Sequence, residues 1–159
     1  MLRVLVLCLA LAAGWSAERP AVRAQAVPPS VTLPVEFPLL ISGGTLACRG
    51  TIDGHAGILL IDSGSSVTCL FPSQTRARRY RFRTVDLVAY TAAGPHRVGK
   101  VARRAEVRVA GVTYPARNLV VLPEGGETEA IGLLGCDFLL ATGARIDLAR
   151  RVVVLTKRP

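Results

Sequence analysis

The stretch of this 159-residue chain best suited to chemistry is Gly57-Ile58-Leu59-Leu60-Ile61-Asp62-Ser63-Gly64-Ser65-Ser66-Val67. Five apolar or small residues lead straight into a carboxylate, a glycine two positions on turns the chain, and hydroxyls surround it. A buried strand therefore delivers Asp62 to a tight turn. Hydroxyls and turn amides there can hold a carboxylate in its charged form, ready for general acid–base work. Asp-Ser-Gly is also ordinary turn chemistry, so the tripeptide alone fits a residue that merely caps a turn. A second segment lies about seventy residues downstream: Ala130-Ile131-Gly132-Leu133-Leu134-Gly135-Cys136-Asp137-Phe138-Leu139. Arg145-Ile146-Asp147-Leu148 and Val152 to Leu155 follow it. The four cysteines form no CxxC pair, which excludes a zinc ribbon or a thioredoxin-type site. His55 and His96 stand apart in predicted turns, which argues against a multi-histidine metal site, and no cofactor or metal is expected.

The elements that must position these residues are short and extended. Apolar residues make up 50% of the chain and charged residues 19%, which excludes a disordered or collagen-like polypeptide. The length gives one domain with a real core. Residues 27–40, with Pro28, Pro29, Pro34 and Pro38, read as an extended linker or edge segment, leaving 41–159 as the folded domain. Leu46 to Ile52 and Gly57 to Ile61 flank Asp53-Gly54-His55-Ala56, a hairpin signal. Val67 to Phe71 is another apolar run. Val85 to Tyr90 and Val98 to Val109 are separated by Thr91 to Pro95. In the second of these Ala105, Val107 and Val109 alternate with Glu106 and Arg108, as in a half-exposed strand. Val112 to Tyr114 and Asn118 to Leu122 read as two further strands, and Pro123 to Glu129 as an acidic loop. Ala130 to Leu134 is apolar, Cys136 to Ala141 suits one or two helical turns, and Ala149-Arg150-Arg151 bends a last hairpin. Strands roughly every 8–12 residues predict a mostly β barrel or sandwich. Cys48 and Cys69 could meet across adjacent strands or remain buried free thiols.

The order of hydrophobic strand, Asp-Ser-Gly, hairpin, apolar pair plus glycine, short helix and final strand resembles the retropepsin-like aspartic peptidases. The likeness covers about residues 41–156. The Phe-Leu, Ile-Asp-Leu and Val-Leu ending looks like their small secreted or membrane-associated bacterial members. The resemblance implies a mostly β, closed retropepsin-like barrel with one short C-terminal helix and a β-hairpin flap. It implies that Asp62 is catalytic and that Ser63, Gly64 and Ser65 support it in the active-site loop. Ser63 stands where many relatives carry threonine and keeps the hydroxyl. Leu133-Leu134-Gly135 matches the element that packs behind that loop, and Cys136 replaces a frequent methionine as a packing residue. Tyr90, Thr91, Ala92, Ala93 and Gly94 sit where the flap tip would meet substrate. Such a site needs two aspartates across one water. This chain has one Asp-Ser-Gly and is too short for two lobes, and Asp53, Asp86, Asp137 and Asp147 lack the context. The resemblance thus implies a C2 homodimer, with Asp62 of a second copy completing an aspartic-type endopeptidase. The expected partner is a peptide or protein substrate in extended conformation. The alternative is a catalytically silent dimer of the same fold, acting as a peptide-binding or assembly module in the cell envelope. An unrelated β-barrel for small ligands would leave the order of motifs as coincidence.

Residues 1–26 read as a secretory signal: Arg3, the apolar run Val4 to Ala13, then Gly14-Trp15-Ser16 and Ala24-Gln25-Ala26 as candidate cleavage sites. Ten apolar residues are too few to cross about 30 Å of hydrocarbon, and no later segment is long enough. The mature protein is expected to be exported, periplasmic or secreted, with no membrane span. Removing 1–26 takes three arginines and one glutamate from a formal charge of +9 and leaves +7. Arg76, Arg78, Arg79, Arg81 and Arg83, interleaved with Tyr80 and Phe82, could face nucleic acid or an anionic surface. An export signal argues against nucleic acid and for a solvated basic face.

Overall fold

The computed structural model describes residues 31–71, 80–91, 94–122 and 129–159. The expected signal at 1–26, residues 27–30, Arg76, Arg78 and Arg79, the flap-tip residues Ala92 and Ala93, and residues 123–128 of the acidic loop lie outside the described residues. Among the described residues the strands are β1 (Val35–Pro38), β2 (Leu40–Ser42), β3 (Thr45–Ile52), β4 (His55–Ile61), β5 (Cys69–Leu70), β6 (Phe82–Thr91), β7 (Gly94–Val109), β8 (Val112–Val121) and β9 (Ala130–Leu134). The helix α1 (Cys136–Thr142) and the strands β10 (Arg145–Asp147) and β11 (Val152–Leu155) follow.

Six strands form a ring. The order β3-β4-β9-β5-β8-β7 is hydrogen-bonded throughout, and β7 returns to β3 where Thr51 faces Arg108 and Ile52 faces Val107. β2 and β6 extend this sheet, while β1, β11 and β10 make a separate three-stranded one. Two pairs are parallel, β4 with β9 and β5 with β8. Strand alternation sends Cys48, Ile52, Leu59, Ile61, Val107, Val109 and Leu134 into one core, joined by Phe138 of α1. Glu106 points out between Ala105 and Val107 as the alternation predicts. β9 is buried at all five positions and is paired on both edges, to β4 and β5. Among the described residues the mostly β architecture with one short helix agrees with the expected fold.

Several boundaries differ from the sequence reading. Asp53 and Gly54 alone turn the β3–β4 hairpin, with φ of 49° and 76°, so His55 and Ala56 already belong to β4. A two-residue turn with both φ positive matches the twist of the strands it joins. Val112 to Val121 is one strand, not two. Pro115 is tolerated within it because β8 pairs on its other side only at Val120 and Val121, so the missing N–H falls where that edge is open. Residues 35–40 are part of the folded body: β1 pairs with β11, and the Leu39 N–H donates to the Arg151 carbonyl at 2.9 Å. Cys48 and Cys69 do not lie on adjacent strands, since β4 and β9 stand between β3 and β5; both are buried free thiols.

Candidate active site

The parallel pairing of β4 with β9 is what carries Asp62 to Gly135. Leu60 faces Leu133 and Ile61 faces Leu134, and the Asp62 N–H extends the ladder by donating to the Leu134 carbonyl at 3.1 Å. The segment 62–68 then crosses directly over Gly135. A β-carbon on Gly135 would lie 2.4 Å from the Val67 carbonyl carbon and oxygen, so only glycine permits this approach. Gly132 has the same constraint against the Cys69 carbonyl, at 2.3 Å. The apolar-apolar-Gly segment is therefore a surface shaped to receive the Asp62 loop.

The loop is braced from within and from α1. The Gly64 N–H donates to Asp62 Oδ1 at 2.8 Å, and the Ser65 N–H donates to the Asp62 carbonyl at 3.2 Å. The Ser65 hydroxyl donates to the Val67 carbonyl at 2.7 Å. From the start of α1, the Cys136 N–H donates to the Ser65 carbonyl at 2.8 Å and the Asp137 N–H to the Ser66 carbonyl at 3.3 Å. The Cys136 thiol donates to the Ser63 carbonyl at 3.1 Å. Asp62 is half-buried, and among the described residues no cation pairs with it. A half-exposed carboxylate held by a backbone amide is chemically suited to general acid–base work.

The far end of the loop is also fixed. The Thr68 hydroxyl, buried to 1% exposure, donates to Asp137 Oδ1 at 2.7 Å and accepts from the Gly135 N–H at 3.2 Å. The Phe138 N–H donates to the same Asp137 oxygen at 2.8 Å, and the Tyr114 hydroxyl to Oδ2 at 3.2 Å. The Tyr114 ring meets Phe138 edge-on, centroids 5.6 Å apart. Burial above all, and then the Asp137 carboxylate, pushes the Tyr114 hydroxyl up to about 12. Burial also pushes the Cys69 thiol up to about 12; the Asp137 and Asp62 carboxylates add to this and a Ser65 hydrogen bond opposes it.

Asp62, Ser63, Gly64 and Ser65 thus come together with Leu134 and Gly135. Leu134 packs into the core, while Leu133 takes the opposite face, paired with Leu60 and Cys69. The flap residues lie elsewhere in the sheet. Tyr90 faces Pro95 and Thr91 faces Gly94 at the tip of the β6–β7 hairpin, where Gly94 has φ of 105°. Within the ring this hairpin connects to the site on one side through β3 and β4 and on the other through β8 and β5. The sequence reading passed over Thr68 and Tyr114 and set Asp137 aside as part of the C-terminal motif. An acidic residue in the first turn of a helix was visible, but its partners come from distant segments.

A family model for aspartyl proteases matches residues 48–138, from β3 to α1, and so spans the Asp62 loop and Gly135. Among solved structures, the chain is similar to a retropepsin-like aspartic protease from Rickettsia conorii, with a TM-score of 0.52 and 17% identity over 77% of this chain and 91% of that one. It is also similar to the EIAV protease, solved in complex with an inhibitor, with a TM-score of 0.50 and 19% identity over 65% of this chain and 93% of that one. No curated protein matches significantly in sequence. At these identities the likeness to the solved structures is one of fold.

Proposed function

The chain belongs to the aspartyl protease family and has the retropepsin-like fold, and from that premise we propose that it is an exported, homodimeric aspartic endopeptidase. The observation that carries this reading is the Asp62 loop. A carboxylate at the end of a buried parallel strand pair is tied to Leu134, Gly64 and α1, with no cation beside it among the described residues. One such carboxylate cannot both activate water and protonate the carbonyl of a peptide bond. A second copy related by a two-fold axis supplies the other. Two carboxylates about 3 Å apart share one proton, the general behaviour of aspartic-peptidase dyads. The ionised member takes a proton from the bridging water while the neutral one donates to the scissile carbonyl oxygen. The titration belongs to the pair. An extended peptide would lie beneath the β6–β7 hairpin, which closes over it and excludes water.

Export by the segment 1–26 and a periplasmic or extracellular place belong to the same reading. The test is cleavage of a mixed peptide library by wild-type protein and Asp62→Asn, with and without a pepstatin-type inhibitor, alongside light scattering. Wild-type turnover should be inhibitor-sensitive and carried by a dimer, and Asp62→Asn should lose it while keeping its melting temperature. Turnover surviving in Asp62→Asn would remove the residue from its role. Peptide binding without turnover in the wild type would instead favour the silent envelope module.

A further inference from the structure

We infer that Asp137 is a positioning residue for this reaction, acting through Thr68 to fix the Asp62 loop where it enters β5. The inference rests on the peptidase reading of Asp62. The loop has two ends. One is held by the Asp62 N–H on Leu134, as a continuation of β4–β9. The other runs into β5, where Cys69 pairs with Leu133 and Val120, and just ahead of that strand it carries a buried hydroxyl, that of Thr68. A hydroxyl has one proton and two lone pairs, so what it can accept depends on where its proton goes. Asp137 Oδ1 takes that proton at 2.7 Å, which leaves a lone pair for the Gly135 N–H at 3.2 Å.

Asp137 is itself held. Phe138 N–H and Tyr114 O–H engage its two oxygens from α1 and β8, so the carboxylate cannot turn away from Thr68. Four segments, β8, α1, the end of the Asp62 loop and Gly135, are joined in one polar chain. Its loss leaves the ladder anchor and the main core in place. The fold and the binding of an extended substrate should survive, while the carboxylate drifts from the position the dyad requires. Small misplacements of reacting groups act on turnover far more than on binding.

The experiment measures kcat and KM per folded dimer for Asp137→Ala, Asp137→Asn, Thr68→Val and Thr68→Ser, beside wild type and Asp62→Asn. We expect Asp137→Ala and Thr68→Val to lose about tenfold or more in kcat with KM changed by less than about twofold. Asp137→Asn, whose amide oxygen still accepts from Thr68 and Phe138, and Thr68→Ser, which keeps the hydroxyl, should recover kcat to within about threefold of wild type. The two residues give independent tests should one alanine or valine variant fail to fold. Unchanged kcat in the folded loss variants, or no recovery in the conservative ones, overturns the inference while leaving Asp62-dependent turnover intact. Turnover independent of Asp62 overturns the peptidase reading and this inference together.

Discussion

Cys48 shows how far burial alone can alter a side chain. Its thiol is fully enclosed in the core, and burial pushes it from 9.0 up to about 12. Cys69 rises to about 12 for the same principal reason. A group that holds its proton more tightly in the fold than in the unfolded chain stabilises the fold fully below its unfolded value. That contribution is lost as pH rises through the folded value. For both thiols the window runs from 9.0 to about 12, and Tyr114 joins it from 10.0. The melting temperature under reducing conditions should therefore fall steadily between pH 9 and 11. Cys48→Ala should make that fall shallower, and a slope identical to wild type would contradict the account.

At the scale of elements, what was legible in the sequence was local. The run into Asp62, the Leu133-Leu134-Gly135 surface, the alternation along β7 and the short α1 each declare themselves within about ten residues, because strand and helix periods are local properties. The hairpin at Asp53 was placed correctly but drawn too long. β8 was split in two because Pro115 looks like a break until the open edge beside it is known. The Thr68–Asp137 and Tyr114–Asp137 bonds span 69 and 23 residues and depend on strand order, which no short pattern records. The same gap explains Cys48 and Cys69: insertion of β9 beside β4 separates strands that sequence order made look like neighbours. Asn118 gives an element-level test. Its φ of 57° lies in the left-handed region that asparagine and glycine tolerate. Asn118→Ala should cost about 1 kcal/mol in denaturant unfolding and Asn118→Gly much less.

For the whole molecule the proposed dimer needs an exposed apolar surface, and the C-terminal part of the fold has one candidate. Leu140 on α1 is 76% exposed, and Leu148 and Ile146, at and just after β10, are 64% and 36% exposed. Such a group suits contact with a second copy. If the proposed dimer forms through these side chains, the double variant Leu140→Glu with Leu148→Glu shifts light scattering from dimer to monomer and abolishes the proposed peptide turnover. Its melting curve should change little when extrapolated to low protein concentration, because neither side chain is in the monomer core. A fully active dimer in that variant would place the subunit contact elsewhere.

The position of β9 has a consequence for how the molecule comes into being. This strand, made of residues 130–134, is the wedge between β4 and β5, and it is translated long after both. A nascent chain emerging from the ribosome can form the first hairpin early, yet it has nothing on which to seat Asp62 until residues 130–135 appear. A fragment truncated before Ala130 would therefore be inert, however much of the sheet it had assembled.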